Sequence, residues 1–552
     1  MKSQVKIIPT LAPIAAALSV LAIAPYLLMD SVNPIKLFTV SLLGCGYLLI
    51  TVLNIKVFAS IRDNLITWLV LSFALLSMII TFTTENNLSQ QLYGVVGRQG
   101  GLIFHLALCG LLLAGNLYAS DQLLKNTVKV FFFAGSIITT YGLLQILNLD
   151  PLTWSSNPDW VAATLANPNF YSAFLGMFIC MILPFILVNK NNLLRLLLIF
   201  GVSVNFYIIL KTASQQGVIL VLIAFTVTLF FFLKSRNLGK RWLLTYLFLA
   251  SMSFLILILD ILQKVPWQPI LYKPSISARG DYWQAGIAVI NKYPLTGVGF
   301  DGLREQYGLV RDPLSLTRGD ELDLDASHNV FIDKGVAGGI PLLLLYLAIL
   351  ITVLFAIQRL AKNFTIFNPA LVAVISCWIA WVAQSVISID NVGVTSWGWY
   401  LSGVIIGLAA LSKEAVTTNP ALGSRFSLKN TGKMYIVGVV IGGLLAMPLV
   451  AREFRYVKSI ERGDAQGLQA AALQFPQDVF RIGRAAEILK KYKIEKESIF
   501  LARVGVKNFP ESYSAWAVLY TSPWATQEEQ DEAKVKLFEL DPLRAKYQGL
   551  IQ

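Results

Sequence analysis

Apolar runs long enough to cross a membrane recur along most of this chain. Each is about 18 to 22 residues long, the length that a helix needs to span the hydrocarbon core of a bilayer. With 56% hydrophobic and 14% charged residues, the composition agrees. The chain is therefore predicted to be an all-α polytopic membrane protein of about 12 to 13 transmembrane helices. The predicted spans lie near residues 8–29, 37–55, 65–83, 101–118, 127–147, 170–189, 194–210, 218–233, 242–262, 340–358, 369–389, 396–412 and 434–450.

The distribution of basic residues predicts the orientation of these spans. Lys and Arg are retained on the cytoplasmic side in short loops, and with a cytoplasmic N-terminus the short outer loops carry only Lys36, Arg98 and Lys211. An odd number of spans then places the long loop 263–339 and the C-terminal tail outside the cell membrane. The net charge of +13 is read as this topology signal, so no nucleic-acid partner is expected.

The last hundred residues differ from the rest of the chain. After the membrane domain 1–451, residues 452–552 carry frequent and nearly balanced charges. Phe475-Pro476, Phe509-Pro510 and Asp541-Pro542 recur 34 and 32 residues apart, a spacing typical of tetratricopeptide-like helix pairs. The alternative is an ordinary small helical domain whose helices end at prolines. A helical extracytoplasmic domain that binds an acceptor or a protein partner is predicted.

The long outer loop is predicted to contain a helix and a turn. Residues from Ser275 to Tyr293 fit an amphipathic helix with Trp283, Ile287 and Ile290 on its apolar face, lying flat at the membrane surface. Arg279 would then occupy the first turn, where free backbone N–H groups favour an anion. A Gly-Val-Gly turn at 297–299 and the pair His328-Asn329 follow.

His328 and Arg279 are the candidate chemical groups. The chain has only two histidines, and the pKa of an unperturbed imidazole lies nearest neutrality. A neutral His328 would accept a proton from a hydroxyl, while the guanidinium fork of Arg279 would bind phosphate oxygens. The alternatives are a solvated loop histidine and an arginine that extends from the membrane to its surface. Together, the two side chains predict metal-free glycosyl transfer from a lipid diphosphate.

No metal and no cofactor are expected. His105 lies inside an apolar span, and neither histidine has ligands at zinc spacing. The acidic run Asp320, Glu321, Asp323 and Asp325 lacks the glycine and spacing of a calcium loop, so a solvated acidic face is the preferred interpretation. The four cysteines fall inside predicted spans and predict no disulfides.

Several motifs carry a family resemblance. Arg279-Gly-Asp-Tyr282-Trp283, Pro294-Leu-Thr-Gly297-Val-Gly299 and His328-Asn329 with Gly339 resemble the O-antigen ligase and polymerase-like superfamily of bacterial membrane glycosyltransferases. Upstream, Gly97-Arg98-Gln99-Gly100, Tyr141-Gly142-Leu-Leu-Gln145 and Asn167-Pro168-Asn169 are also similar. The resemblance implies an undecaprenyl-diphosphate-linked glycan donor, no metal requirement, and a place in the bacterial cytoplasmic membrane.

The resemblance also implies roles for single residues. His328 would be the catalytic histidine, Arg279 would bind the diphosphate, and Gly297, Gly299 and Gly339 would be structural. Contacts to the diphosphate or glycan are expected from Arg98, Lys211, Gln215, Tyr282, Trp283 and Asn329.

The chain departs from the family pattern at two places. Where ligases of the family commonly carry an arginine, this chain reads Ser214-Gln215-Gln216-Gly217, so Lys211 or Arg98 would have to supply that charge. Three residues after Gly339 stands Leu342, where the ligase pattern often has Gly, Thr or Tyr. Ligase and polymerase both remain open, as do protein O-oligosaccharyltransferase, solute transporter and non-enzymatic assembly protein.

Overall fold

The computed structural model describes residues 4–53, 65–152, 154, 160–237, 239–269, 274–316, 324–362, 364–414 and 428–548. Throughout these ranges the regular structure is helical, without a strand. The prediction of an all-α protein is therefore confirmed. Ten of the described helices are long and apolar enough to cross a membrane, and three shorter apolar helices accompany them. The chain is a multi-pass membrane protein.

The membrane helices follow the predicted order. Their bounds are α1 Gln4–Leu21, α2 Asn33–Leu53, α3 Leu65–Thr83, α5 Leu102–Leu117, α6 Asp121–Ile146, α7 Pro168–Val188, α8 Asn192–Lys211, α9 Gln215–Ser235, α10 Lys240–Ile261, α13 Val330–Lys362, α14 Pro369–Ser385, α15 Val392–Glu414 and α16 Leu428–Arg462. A short helix, α4 Leu88–Tyr93, precedes α5. Side-chain caps start several of them, including Ser120 before α6 and Asn167 before α7.

The prediction that the first span continues to residue 29 is wrong. Helix α1 ends at Leu21, and residues 22–32 form a loop that contains Pro25. The apolar character continues because Leu28 is buried and Met29 packs against the core of the C-terminal helices. Contacts with other parts of the protein therefore account for apolar residues that the pattern attributes to lipid.

Small residues let the central helices approach closely. A Cβ atom added to Gly44 of α2 or to Gly110 of α5 would overlap the backbone of the other helix, and one added to Gly403 of α15 would overlap the carbonyl of Leu112. Such contacts between small residues are a usual means of packing helices in lipid. Helix α10, by contrast, lies at the edge and keeps only Asp260 buried.

Within its described residues, the 263–339 loop contains two helices, α11 Pro274–Lys292 and α12 Leu303–Val310, and the first residues of α13. The predicted apolar face of α11 is correct only in part, because Ile290 packs with the buried Tyr282, Ala285 and Val289 whereas Ile287 is 49% exposed. The buried face packs on α13 and α12, and a partner helix rather than lipid therefore selects it.

Six helices complete the chain: α17 Ala465–Leu473, α18 Val479–Lys491, α19 Glu495–Asn508, α20 Tyr513–Tyr520, α21 Gln527–Leu540 and α22 Pro542–Tyr547. They pack as successive neighbours around two small apolar cores. Helix α16 runs without interruption from the last membrane span into this array, so the predicted boundary between residues 451 and 452 falls inside one helix. Tyr456 of α16 also belongs to one of these two cores.

The C-terminal helices dock on the end of the membrane domain that carries the 263–329 loop. The amide N–H of Gln477 donates to Ser89 Oγ at 3.0 Å, and Arg311 forms an ion pair with Asp541 at 2.8 Å. Glu453 accepts the amide of Asp30 at 2.9 Å and is itself held by Arg452 and Arg481. The loop and the C-terminal helices therefore share one face.

Candidate functional site

A kink in α13 anchors the Gly-Val-Gly turn. The helix is interrupted at Gly338 and Gly339, and Gly339 has φ +64°. The interruption leaves the carbonyls of Val336 and Ala337 available as acceptors, and the amides of residues 298 and 299 donate to them at 2.8 and 2.9 Å. The amide of Ile340 in turn donates to Pro294 at 2.8 Å. A kink this sharp needs a residue without Cβ.

The turn tolerates only glycine at both of its predicted glycine positions. Gly297 has φ +61° and Gly299 has φ +87°, a region that side chains disfavour. A Cβ on Gly297 would lie 2.5 Å from the α13 backbone, and one on Gly299 would overlap the side chain of Gln91. Together with Gly339, these residues hold the 263–329 loop against the start of α13.

A second glycine-rich segment wraps around a buried carboxylate. Asp301 Oδ2 accepts the amides of Val95 at 2.9 Å and Gly100 at 3.3 Å. A Cβ on Gly94 would lie 2.5 Å from that oxygen, and one on Gly100 2.7 Å from Oδ1. Burial raises the pKa of Asp301, although these amides oppose the shift. The segment 94–100 is thereby folded so that Arg98 projects toward the 263–329 loop and reaches Asp325.

Arg98 meets Asp325 in a two-point ion pair. Arg98 Nε and Nη2 donate to the two carboxylate oxygens at 2.8 and 3.1 Å. Burial alone would raise the pKa of Asp325, but Arg98, Arg304 and His328 bring it below its ordinary value. The predicted diphosphate contact of Arg98 would therefore act while the guanidinium is held by a carboxylate.

His328 stands in a strained position at the start of α13. Its φ is +54°, a left-handed conformation that non-glycine residues adopt mainly when the surroundings impose it. Here the hydrogen bonds of its two neighbours, Ser327 and Asn329, impose this conformation. Ser327 donates to Asp333 Oδ1 through its amide at 2.8 Å and its hydroxyl at 2.5 Å. Asn329 Oδ1 accepts the amides of Phe331 and Ile332 at 3.0 and 3.3 Å, so this oxygen serves as a helix cap.

The surroundings of His328 favour a neutral imidazole. Burial, followed by the charges of Arg98 and Arg279, lowers the pKa of His328 to about 4, while Asp325 acts in the opposite direction. The ring of Tyr282 lies 5.6 Å away at an angle of 33°. Burial also lowers the pKa of Arg279 from its ordinary value, which still leaves a cation at neutral pH. The structure thus brings His328, Arg279, Arg98 and Tyr282 together.

Other predicted site residues are placed less directly. Arg279 lies in the second turn of α11, so its predicted placement in the first turn is wrong. Among the described contacts, none joins Lys211 or Gln215 to His328; these residues lie at the α8–α9 corner, where Lys211 stacks on Tyr207. Trp283 is partly buried, and its indole N–H lacks a partner among the described residues.

A buried charged cluster behind the site was not predicted from the sequence. Lys334 Nζ lies 2.7 Å from His105 Nε2 and 2.5 Å from Asp390 Oδ2, and Thr395 donates to the other oxygen of Asp390 at 3.0 Å. A small cavity of about 50 Å³ joins this cluster to Arg98. The available signal was a lysine six residues after His328, at the start of a long apolar stretch, because ionisable groups at membrane depth usually have a partner and a role.

Metal ligation receives no support within the part of the chain that the structure describes, where no group of three or more His, Cys, Asp or Glu side chains has a metal-site geometry. Of the acidic run, only Asp325 is described, and it pairs with arginine. The residues Asp320, Glu321 and Asp323 lie outside the described residues.

The fold and the site define a class: a multi-pass helical membrane protein in which a histidine and an arginine of a structured loop lie near a second arginine, Arg98, from the segment 94–100. The family model described as O-antigen ligase matches residues 200–347, a segment that includes Arg279, the Gly-Val-Gly turn and His328. This match supports glycan transfer of the O-antigen ligase kind. No curated protein matches the chain.

Proposed function

We propose that this protein transfers a glycan from a polyprenyl-diphosphate-linked donor to an acceptor hydroxyl on the outer face of the bacterial cytoplasmic membrane, without a metal ion. The observation that carries the proposal is the neutral imidazole of His328 beside the guanidinium groups of Arg279 and Arg98. A base and cations in one place suit a reaction that moves one proton and releases one anion. The match over residues 200–347 supports the same reaction.

The proposed reaction is a single displacement at the first sugar of the donor. The acceptor oxygen bonds to the anomeric carbon while the bond from that carbon to the diphosphate oxygen breaks, and the electron pair leaves with the polyprenyl diphosphate. His328 accepts the hydroxyl proton and then releases it to water, which its low pKa favours. Arg279 binds the leaving diphosphate, whose charge grows as the bond breaks.

The remaining predicted residues receive supporting roles in the proposal. Arg98, held by Asp325, adds positive charge on the diphosphate side. Ligases of the family commonly carry an arginine where this chain has Gln215, and Lys211 supplies that positive charge instead. Tyr282 and Trp283 line the sugar side. Asn329 caps α13 through its oxygen and contacts the glycan through its amide nitrogen. The C-terminal helices act as a tetratricopeptide-like unit that receives the acceptor or an assembly partner.

The test is transfer by the purified protein in lipid nanodiscs, supplied with a polyprenyl-diphosphate oligosaccharide and either glycolipid or Ser/Thr peptide acceptors. The variant His328→Ala is expected to lose at least about 100-fold in rate, the usual contribution of a general base. Arg279→Lys should also be severe, because a point charge does not replace the fork. The matched control Lys292→Gln removes an exposed cation at the end of α11 and should keep native transfer.

The products separate the possible outcomes. A single added block identifies a ligase, a ladder identifies a polymerase, and a glycosylated peptide identifies a protein O-oligosaccharyltransferase. Near-native transfer by His328→Ala, with the protein folded and inserted, would remove the general-base role. Uptake of solute by vesicles without any lipid-linked sugar would instead indicate a transporter.

A further inference from the structure

Arg304 lies between the C-terminal helices and the Arg98–Asp325 ion pair. Its side chain is only 12% exposed, and its Nη2 is 3.6 Å from Asp325 Oδ2. Its Nε and Nη1 atoms are buried and have no hydrogen-bond partner among the residues that the structure describes. A buried guanidinium with unsatisfied donors costs stability unless something else compensates its charge. Contacts on both sides of the side chain supply that compensation.

One compensating contact comes from the C-terminal helices. The guanidinium carbon of Arg304 lies 4.4 Å from the ring centroid of Phe480, a cation–π distance. Phe480 is the second residue of α18, and its amide donates to the capping Asp478 at 2.9 Å. The next residue, Arg481, forms a two-point pair with the buried Glu453 of α16. The position of the aromatic ring is therefore determined by the docking of α18 on α16.

The far end of the same helix is held by the C-terminal helices as well. Arg311, which ends α12, forms an ion pair with Asp541 in which the two side chains are 1% and 5% exposed. A Cβ on Gly308 would lie 2.5 Å from the carbonyl oxygen of Leu540, so the backbones meet closely there. Helix α12 is thus fixed at both ends by residues beyond 476, and Arg304 is at the end nearer to Asp325.

We propose that Arg304 and Phe480 form a positioning pair, through which the docked C-terminal helices hold Asp325 and thereby set the charge around His328. The inference rests on the proposed role of His328 as the base. It gives the C-terminal helices a part in the transfer reaction itself, beyond binding an acceptor or partner. Arg304 touches neither donor nor acceptor in this proposal and acts only through Asp325.

The charged groups around the two side chains determine the sign of the effect. Arg98 and Arg279 oppose a positive charge on His328, while Asp325 favours it. Asp325 itself faces Arg98, Arg304 and His328, with Asp301 nearby. Removing the charge of Arg304 leaves the negative field of Asp325 less compensated. Protonation of His328 then becomes easier, so its titration should move to higher pH.

Reaction of His328 with diethyl pyrocarbonate, followed by mass spectrometry of its peptide between pH 4 and 8, measures this titration without any glycan. The reagent attacks the unprotonated imidazole. Native protein should react at a nearly constant rate down to about pH 5, because the pKa of His328 is about 4. His105, 2% exposed in α5, remains unreactive while the protein is folded and serves as an internal standard.

Arg304→Gln should shift the midpoint of the reagent profile upward by about one pH unit, a usual size for the loss of one nearby charge. Phe480→Ala should shift the midpoint in the same direction by less. The conservative substitutions Arg304→Lys and Phe480→Trp, which keep the charge and the aromatic ring, should give the native profile. Arg503→Gln, which removes an exposed arginine paired with Glu529, is the control and should change nothing.

A native profile for Arg304→Gln and Phe480→Ala, with His105 still protected, overturns the positioning role. If Arg304→Gln makes His105 reactive, that variant is misfolded and the test rests on Phe480→Ala alone. A native reagent profile for Phe480→Ala, with His105 protected, then overturns the positioning role. A failure of the proposed function appears separately, as undiminished transfer by His328→Ala, whereas the reagent profile does not depend on transfer.

Discussion

Replacing Arg98 by glutamine should move the acid limb of the transfer reaction to higher pH. Arg98 is one of two cations that lower the pKa of His328. It also pairs with Asp325, whose negative charge raises the pKa of His328, and so weakens that opposite effect. Both consequences of the substitution therefore favour imidazolium. The difference between the ordinary 6.5 and about 4 corresponds to about 3 kcal/mol, of which burial is the largest cause. Arg98 accounts for only part, so a shift of about one pH unit is expected.

The assay is the ratio of transfer rates at pH 5.0 and pH 7.5, with donor saturating at both. A base with a pKa of about 4 gives a ratio of about 0.9, a pKa of about 5 gives about 0.5, and an unperturbed imidazole gives about 0.03. Native protein and the Lys292→Gln control should give the first value and Arg98→Gln the second. A native ratio near 0.03, or a ratio unchanged by Arg98→Gln, would refute the electrostatic argument.

Three further substitutions test the structural arguments by thermal unfolding in nanodiscs together with transfer rate. Gly339→Ala should destabilise the loop and lower transfer, because its φ of +64° and a contact of 2.5 Å leave no room for a Cβ; native melting would contradict the kink. Lys334→Met should cost about 3–5 kcal/mol by leaving Asp390 buried without its cation, and Lys334→Arg serves as the charge-conserving control. Glu453→Gln should loosen the C-terminal helices by leaving Arg481 without its carboxylate partner; unchanged proteolysis near residue 462 would argue against it.

The sequence predicted the spans well but misjudged where tertiary contacts compete with lipid. The periodicity of an apolar run does not distinguish a helix buried in lipid from a loop whose apolar residues pack on the rest of the protein, as Leu28 and Met29 do in the loop 22–32. In the same way, Ile290 of the predicted apolar face of α11 packs into the core that α11 shares with α13, whereas Ile287 of the same predicted face is exposed. Hydrophobicity alone does not specify which partner covers a face.

Some residues of the candidate site are recognisable from the sequence, whereas others are brought together only by the tertiary structure. His328 is recognisable from the sequence because histidine is rare here and its neighbours Ser327 and Asn329 are strong helix-capping residues. The glycines are recognisable because few other residues allow a tight turn. Lys334, Asp390 and His105 are far apart in the chain or lie in apolar surroundings, and only helix packing brings His105 and Asp390 within 2.7 Å of the ammonium group of Lys334. The contacts Arg304–Phe480 and Arg311–Asp541 join distant segments in the same way.

By itself, the sequence determined that this protein is a multi-pass helical membrane protein, because apolar length and charge patterning are local properties of the chain. It also determined the candidate base, through a rare side chain flanked by capping residues. Only the tertiary structure decided what surrounds that base: burial and two arginines from separate segments lower the pKa of His328 to about 4, and helices of the C-terminal tail hold α12 beside Asp325. Electrostatic environment depends on distances in space, which a linear pattern does not contain.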